Sequence, residues 1–340
     1  MSAHDLNETA RAMVAPGKGV LAADESSGTI TKRFEAIGVE STFDSRRAYR
    51  ETLLTTPGLD EFVSGVILYD ETLRQSTAAG TPFPRLLEEL GILPGIKVDT
   101  GAMDLAGAPG EKITEGLDGL RGRIAEYVAL GARFAKWRAV ITIGDHIPSD
   151  YCIEANAHAL ARYAALCQEG GLVPIVEPEV LMDADNDIDR CAAVTERTQR
   201  AVFAALALQR VSLDGMILKP SMVISGKKCA TQAGVEEVAD KTLRCLRRTV
   251  PAAVPGIAFL SGGQRAEVAT AHLNAMNAAG PHPWALSFSY GRALQDPALV
   301  AWSGEETNVK AGQEALYHRS RLNSLATAAG YTPELETAGA

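Results

Sequence analysis

The residue with the most distinctive chemistry in this sequence is a lysine at the end of a short apolar segment. Three apolar residues stand between Gly215 and Lys219, and Pro220 follows the lysine. This pattern predicts a short buried strand that ends there, because proline has no N–H to donate to a sheet. Burial and a nearby cation would lower the pKa of such a lysine, and the neutral amine can form an imine with a carbonyl compound. Taken alone, the position is more typical of a lysine that extends into water, so the hypothesis depends on its neighbours.

Charged or polar residues also end most of the other predicted strands. In chain order, these ends are Asp24, Lys97, Lys136 with Arg138, Glu177 with Glu179, Lys219, Ser261 with Gly262, and Arg292. Successive side chains of a strand point to opposite faces, so Lys136 and Arg138 share a face, as do Glu177 and Glu179. A single Lys or Glu at a strand end is usually a solvated loop residue. So many in one chain favour a shared site.

These residue types suit an imine mechanism. Lys219 would attack a ketone, and a neighbouring cation such as Lys136 would favour its neutral form. The carbinolamine must then lose water, which needs a general acid, and Glu177 is the candidate. A second carboxylate, Asp24, could take the proton from a hydroxyl while a carbon–carbon bond breaks. The protonated imine would accept the bonding electrons.

Two groups of residues predict phosphate binding. Ser261, Gly262 and Gly263 follow one predicted strand, and Arg292 follows the next. Backbone N–H groups of a glycine-rich loop and a guanidinium form a phosphate site, at the position where barrels commonly hold one, although Ser-Gly-Gly also fits a plain turn. Arg33 and Lys97 lie on the opposite side of the strand order and suggest a second anion site.

The scaffold must bring many strand ends together. The predicted strands are residues 19–26, 63–70, 92–99, 133–138, 172–179, 214–220, 256–263 and 284–292. Most of them alternate with segments of helical pattern, which favours a parallel eight-stranded (β/α)8 barrel. We predict one domain over residues 1–340, with a barrel core at about 17–295 and a C-terminal helical region and tail at about 296–340.

Composition limits the partners. The net charge of −9 provides no electrostatic basis for binding nucleic acid or an anionic membrane. The five cysteines are scattered without a C-x-x-C pair, which indicates reduced thiols. No signal or transit peptide and no membrane-spanning apolar stretch is visible, so we predict a cytoplasmic protein.

From about Leu6 to Tyr331, the chain resembles class I fructose-1,6-bisphosphate aldolases. The matching segments are residues 14–26, 95–99, 134–138, 174–179, 218–220, 260–264 and 288–294. The resemblance implies reversible cleavage of fructose 1,6-bisphosphate to dihydroxyacetone phosphate and glyceraldehyde 3-phosphate, as in glycolysis and gluconeogenesis. It also implies phosphorylated ketose and triose phosphate substrates, no metal or other cofactor, and a homotetramer.

Residue roles follow from the same resemblance. Lys219 is the implied Schiff-base lysine, Glu177 the acid and base of imine formation, and Asp24 the group at the C4 hydroxyl. Lys136 and Glu179 support them. The implied C1-phosphate ligands are Ser261, Gly262 and Arg292, and the implied distal-phosphate ligands are Arg33, Lys97 and Arg138.

Two departures from the family pattern stand out. Asp214 occupies a position where the family usually has Glu, at the start of the lysine strand. Animal members end in a tyrosine that reaches the active site, whereas this chain ends Ala338-Gly339-Ala340 and its last aromatic residue is Tyr331. Whether Tyr331 replaces that tyrosine is open at this point, as is the preference among fructose 1,6-bisphosphate, fructose 1-phosphate and sedoheptulose 1,7-bisphosphate.

Other classes of protein fit the sequence less well. A metal-dependent aldolase would need several histidine ligands at strand ends, and the six histidines form no such set. Of these, His146 alone follows a predicted strand closely. A transaldolase-like or deoxyribose-phosphate aldolase would share the barrel and lysine but has no use for two phosphate sites. A binding protein on an inactive barrel would not need Asp24, Lys136, Glu177 and Lys219 together.

Overall fold

A closed barrel of eight parallel strands forms the centre of the protein, described here from a computed structural model. The structure describes residues 3–337, with side chains from Asp5 onward, so the tail residues Ala338-Gly339-Ala340 and the His4 side chain lie outside the described part. The strands are β1 Gly19–Ala23, β2 Val63–Leu68, β3 Leu93–Lys97, β4 Gly101–Asp104, β5 Lys112–Glu115, β6 Phe134–Ile141, β7 Val173–Val180, β8 Ile217–Leu218, β9 Gly256–Phe259 and β10 Ala285–Tyr290. The barrel order is β1-β2-β3-β6-β7-β8-β9-β10, and β10 closes onto β1. This is the (β/α)8 fold that the sequence predicts.

Helices surround the barrel and continue beyond the last strand. They are α1 Ala3–Met13, α2 Ser27–Glu35, α3 Phe43–Leu54, α4 Leu59–Phe62, α5 Asp70–Leu73, α6 Phe83–Glu89, α7 Leu120–Ala129, α8 Asp150–Glu169, α9 Ile188–Leu208, α10 Val235–Thr249, α11 Ala266–Ala278, α12 Arg292–Trp302 and α13 Val309–Thr327. Short 3₁₀ turns cover Leu213–Gly215, Glu306–Asn308 and Pro333–Glu336. Within the described residues, no helix has the length and apolarity needed to cross a membrane.

Two local details differ from the sequence prediction. The lysine strand is only Ile217–Leu218, because the residues before it form a 3₁₀ turn. Lys219 follows that strand directly, and its N–H still donates to the carbonyl of Val176 at 2.8 Å. The antiparallel hairpin β4–β5 was not predicted; it lies outside the barrel and β4 is mostly exposed, so it lacks the buried apolar pattern that reveals the other strands.

The barrel interior is an apolar core that α1 closes at one end. Alternate residues of several strands, among them Val20, Val173 and Ile175, form one buried cluster with Leu6, Ala10, Met13 and Val14 of the α1 region. Phe134 fills the space between strands: a methyl group at Gly95 would lie 2.2 Å from its ring. The interior is therefore packed solid, and a ligand can enter only at the opposite, carboxyl end of the strands.

A second core lies between the strands and the outer helices, and it orients β6 and β7. Trp137 of β6 points outward and stacks on Tyr163 of α8, with ring centroids 5.6 Å apart. The Tyr163 hydroxyl donates to the carbonyl of Ala135 at 2.7 Å. Because side chains alternate, an outward Trp137 places Lys136 and Arg138 on the inner face.

Candidate active site

A pocket of about 800 Å³ opens at the carboxyl ends of the barrel strands. All eleven residues that the sequence singled out line this pocket: Asp24, Arg33, Lys97, Lys136, Arg138, Glu177, Glu179, Lys219, Ser261, Gly262 and Arg292. They come from elements more than 260 residues apart in the chain. The fold thus brings the predicted site residues together in one cavity, where they can act on the same small molecule.

A chain of alternating charges crosses the floor of the pocket. Lys219 Nζ lies 3.2 Å from Glu177 Oε1, Lys136 Nζ lies 3.5 Å from Glu177 Oε2, and the same ammonium lies 2.6 Å from Asp24 Oδ2. All four side chains are nearly buried. Within the described residues, Glu177 Oε2 is buried and has no hydrogen-bond partner. This oxygen can therefore exchange a proton with a bound molecule.

The charges of Asp24 and Lys136 stabilise each other against the cost of burial. Burial alone would raise the pKa of Asp24, but the positive charges of Lys136 and Lys219 outweigh it and lower the pKa to about 2. Burial alone would lower the pKa of Lys136, but Asp24 and Glu177 outweigh it and raise the pKa. At neutral pH, Asp24 is therefore a carboxylate and Lys136 an ammonium.

The loop after β9 forms a cradle for an anion. Gly262 and Gly263 have φ values of +61° and +88°, which let consecutive N–H groups point the same way. Gln264 supports this loop by donating to the Ser261 carbonyl at 3.0 Å, and its Oε1 lies 2.7 Å from Nδ1 of the buried His272. Arg292, the first residue of α12, lies beside the loop, 2.9 Å from where a methyl group at Gly263 would stand. A preformed loop with an adjacent cation is suited to bind a phosphate.

Each of the other three cations is already paired with a carboxylate. Arg33 lies 2.8 Å from Glu25, Lys97 lies 2.5 Å from Asp99, and Arg138 pairs with Glu179. Glu179 therefore acts on Arg138 and not directly on the lysines of the pocket floor. These pairs hold the cations in place while leaving them at the pocket surface, where a phosphate can share them.

Arg33 lies on a different side of the pocket than the strand order suggests. It lies 3.8 Å from Asp296, which stands one helical turn after Arg292 in α12. The reason is barrel closure, since β10 pairs with β1 and so brings the loops after both strands together. The expectation that Arg33 and Arg292 lie on opposite sides is wrong.

Glu25 and Ser289 are among the pocket residues that sequence reasoning missed. One carboxylate oxygen of Glu25 pairs with Arg33 and the other with the buried Arg50, at 2.8 Å each. Glu25 therefore holds the Arg33 guanidinium in place at the pocket. Ser289 of β10 lines the pocket, and its buried Oγ has no hydrogen-bond partner within the described residues. Both stand close in sequence to residues that were identified: Glu25 follows Asp24, and Ser289 stands three positions before Arg292.

Tyr331 and His146, whose roles the sequence did not decide, both lie outside the pocket. Tyr331 is buried outside the pocket, and its hydroxyl donates to Glu336 at 2.8 Å. His146 is almost fully exposed and contacts Asp145 rather than any pocket residue. Among residues 5–337, no group of three His, Cys, Asp or Glu side chains is arranged to hold a metal ion. Because Tyr331 is buried outside the pocket, it does not occupy the place of a terminal tyrosine at the active site.

Comparisons with known proteins show which proteins this chain is similar to. The family model described as fructose-bisphosphate aldolase class-I matches residues 5–340. The chain is 63% identical over 327 residues to the probable fructose-bisphosphate aldolase class 1 of Xanthomonas campestris, covering 96% of this chain and 98% of that protein. It is 55% identical over 317 residues to the cytosolic fructose-bisphosphate aldolase 4 of Arabidopsis thaliana, covering 93% and 81%. The fructose-bisphosphate aldolase of Plasmodium falciparum, solved in complex with TRAP and a small-molecule inhibitor, superposes with a TM-score of 0.95 at 50% identity, covering 97% and 95%.

Proposed function

Because the chain belongs to the class I fructose-bisphosphate aldolase family, we propose that Lys219 forms the covalent imine of its reaction. The enzyme cleaves fructose 1,6-bisphosphate reversibly to dihydroxyacetone phosphate and glyceraldehyde 3-phosphate. The observation that carries the assignment of Lys219 is its position: its ammonium is buried on the pocket floor and lies 3.2 Å from a carboxylate. That carboxylate can take the proton that the amine must lose before it attacks the C2 carbonyl.

Glu177 is assigned to the proton transfers of imine formation. When the amine of Lys219 adds to C2, one of its protons passes to the carbonyl oxygen, which becomes a hydroxyl that must leave as water. Loss of water needs one proton, and Glu177 can deliver the proton that it took from Lys219. The second oxygen of Glu177 is buried without a hydrogen-bond partner among the described residues, which supports a direct contact with this hydroxyl.

Asp24 is assigned to the proton of the C4 hydroxyl. As the C3–C4 bond breaks, its electron pair moves toward the imine nitrogen, C4 becomes an aldehyde, and the hydroxyl proton passes to Asp24. With a pKa of about 2, Asp24 is a weak base while it remains paired with Lys136. Glu177 gives Lys136 a second carboxylate to move toward, at 3.5 Å, so substrate can release Asp24. Protonation of C3 and hydrolysis of the imine then return Lys219 and dihydroxyacetone phosphate.

The two phosphates are assigned to two groups of pocket residues. Ser261, Gly262 and Arg292 would bind the C1 phosphate, since this loop lies next to the strand that carries the lysine. Lys97 and Arg138 on β3 and β6 would bind the distal phosphate. Arg33, which faces Asp296 of α12, would contribute from the side where the loops after β1 and β10 meet. Three cations beyond the C1 site favour a bisphosphate over fructose 1-phosphate.

We also propose a homotetramer that works in the cytoplasm. The family resemblance supports the tetramer, and exposed apolar side chains such as Leu208 and Tyr151 offer contact surface. The name of the Arabidopsis relative places that protein in the cytosol, and all five cysteines of this chain lie in the described part as free thiols. Light scattering after gel filtration would measure the assembly.

Borohydride trapping tests the assignment of Lys219. Borohydride reduces an imine to a stable secondary amine, so treatment with dihydroxyacetone phosphate should inactivate the enzyme, and peptide mapping should place the added mass on Lys219. Lys219→Arg keeps the positive charge but loses the nucleophilic amine, so it should keep the wild-type circular dichroism spectrum and yet escape trapping. Mass added at Lys136, or cleavage by Lys219→Arg at the wild-type rate, would refute the assignment.

A further inference from the structure

A second lysine lies beside the proposed C1-phosphate loop, although it does not line the pocket. A methyl group at Gly263 would lie 2.9 Å from Lys227 Nζ and 2.9 Å from Arg292 Nη2. The two cations therefore approach the same point beside Gly263. We propose that Lys227 binds the C1 phosphate together with Arg292. This inference rests on the proposed assignment of the C1 phosphate to Ser261, Gly262 and Arg292.

The backbone of Lys227 is held in a fixed position next to the loop. The segment that follows Lys219 pairs with the segment after β7 through three hydrogen bonds: Gly226 to Asn186 at 2.8 Å, Lys227 to Met182 at 2.7 Å and Lys228 to Ala184 at 2.9 Å. The contact is close enough that a methyl group at Gly226 would lie 2.2 Å from the Ala184 carbonyl oxygen. Lys227 can therefore reorient its side chain without moving its backbone.

The present partner of Lys227 is easily replaced. Its Nζ lies 3.0 Å from Asp183, and the two side chains are 39% and 64% exposed. An ion pair as exposed as this one contributes little to stability, because water screens both charges. A phosphate carries a larger charge than one carboxylate, about −1.5 to −2 near neutral pH, and three acceptor oxygens. The Lys227 ammonium would thus leave Asp183 for a phosphate in the loop.

The local excess of positive charge favours the movement of Lys227 from Asp183 to a bound phosphate. Across residues 5–337, the Arg292 guanidinium makes no ion pair with a carboxylate, and Asp183 is the one carboxylate paired with Lys227. Two neighbouring cations of which only one is paired with a carboxylate repel each other, and a doubly charged anion between them removes that repulsion. Lys227 would therefore contact the phosphate when substrate is bound and pair with Asp183 when the pocket is empty.

Binding of fructose 1-phosphate isolates this site, since that substrate has no distal phosphate. Lys227→Met should raise its KM about tenfold, as expected for the loss of one charge-assisted contact. Lys228→Met changes the net charge equally one residue away and should leave KM unchanged. Asp183→Asn frees Lys227 from its partner and should lower KM about two- to fivefold. The two members of one ion pair should thus change KM in opposite directions.

A second measurement uses imine trapping and does not depend on cleavage. In Lys227→Met, half-saturation of borohydride trapping should move about tenfold upward with dihydroxyacetone phosphate and stay at the wild-type value with unphosphorylated dihydroxyacetone. Equal KM for Lys227→Met and Lys228→Met would overturn the inference. So would a similar rise of KM in Lys227→Met and Asp183→Asn, which would mean that the pair only tethers the loop.

Arg292→Ala separates this inference from the assignment on which it rests. If Arg292→Ala raises the KM for fructose 1-phosphate while Lys227→Met does not, the C1-phosphate site stands and the role of Lys227 is refuted. If neither variant changes KM, the C1-phosphate assignment itself is refuted.

Discussion

Removing Lys136 should destabilise the folded protein as well as its chemistry, because this ammonium lies between two buried carboxylates. Its Nζ is 2.6 Å from Asp24 and 3.5 Å from Glu177, and its side chain is only 5% exposed. Lys136→Met keeps a long apolar side chain in the same space but removes the charge. Asp24 would then be a buried carboxylate without a direct cationic partner.

The structure gives the size of the effect. Removing one member of a buried ion pair costs about 3–5 kcal/mol. An independent figure comes from the pKa of Asp24, which is lowered from 3.8 to about 2. A shift of roughly two units corresponds to about 2.5 kcal/mol by which the neighbouring cations outweigh the cost of burying the Asp24 charge. We therefore expect Lys136→Met to lower the free energy of unfolding by about 3 kcal/mol at pH 7.

A double-mutant cycle measured by urea unfolding tests this reasoning. Asp24→Asn alone should cost about 2.5 kcal/mol, but Asp24→Asn combined with Lys136→Met removes both charges and leaves the pair of Lys219 with Glu177. The double variant should therefore be clearly more stable than the sum of the single effects predicts. Arg85→Met breaks a fully exposed ion pair with Glu89 on α6 and serves as a control that should not change stability.

The contribution of Asp24 to the free energy of unfolding should decrease at low pH. The pKa of Asp24 is lower in the folded state than its ordinary value, so its stabilising contribution is complete above about pH 3.8 and is lost as the pH falls through about 2. The difference in unfolding free energy between wild type and Asp24→Asn should be constant from pH 7 to about 5 and shrink between about pH 4 and 2. An additive cycle, or a difference that does not change with pH, would refute the proposed pairing.

Three further predictions concern the reaction and the C-terminal region. Cleavage should persist in EDTA because the imine accepts the electrons that a metal would otherwise stabilise; loss of activity restored by zinc would contradict this. Asp24→Asn should still be trapped by borohydride but lose cleavage, whereas Glu177→Gln should form the imine slowly, and equal trapping rates in the two variants would contradict the division of proton transfers. Tyr331→Phe should keep wild-type turnover and lose about 1–3 kcal/mol of stability, since it leaves the Glu336 carboxylate without its hydroxyl donor; a fall in turnover at unchanged stability would place Tyr331 in the mechanism.

The element types and the identity of the strand-end residues could be read from local sequence. Buried strands show as short apolar runs, and Pro220 marks the end of the lysine strand whatever surrounds it. In a parallel barrel all strands end at the same face, so the residues after them must converge. This is why all eleven predicted residues line one pocket, even though β8 is only two residues long.

The pairings within that pocket depend on distances that the sequence does not contain. Barrel closure joins β10 to β1, which places Arg33 near Asp296 and not opposite Arg292. Packing of the C-terminal helices buries Tyr331 away from the pocket. The stacking of two loops brings Lys227 beside Arg292, 65 residues further along the chain. Local pattern thus determined which groups stand at the strand ends, because pattern reflects burial and backbone geometry. Which charges of different strands and loops neutralise each other was decided by tertiary structure, because Coulomb interactions depend on separation in space and not along the chain.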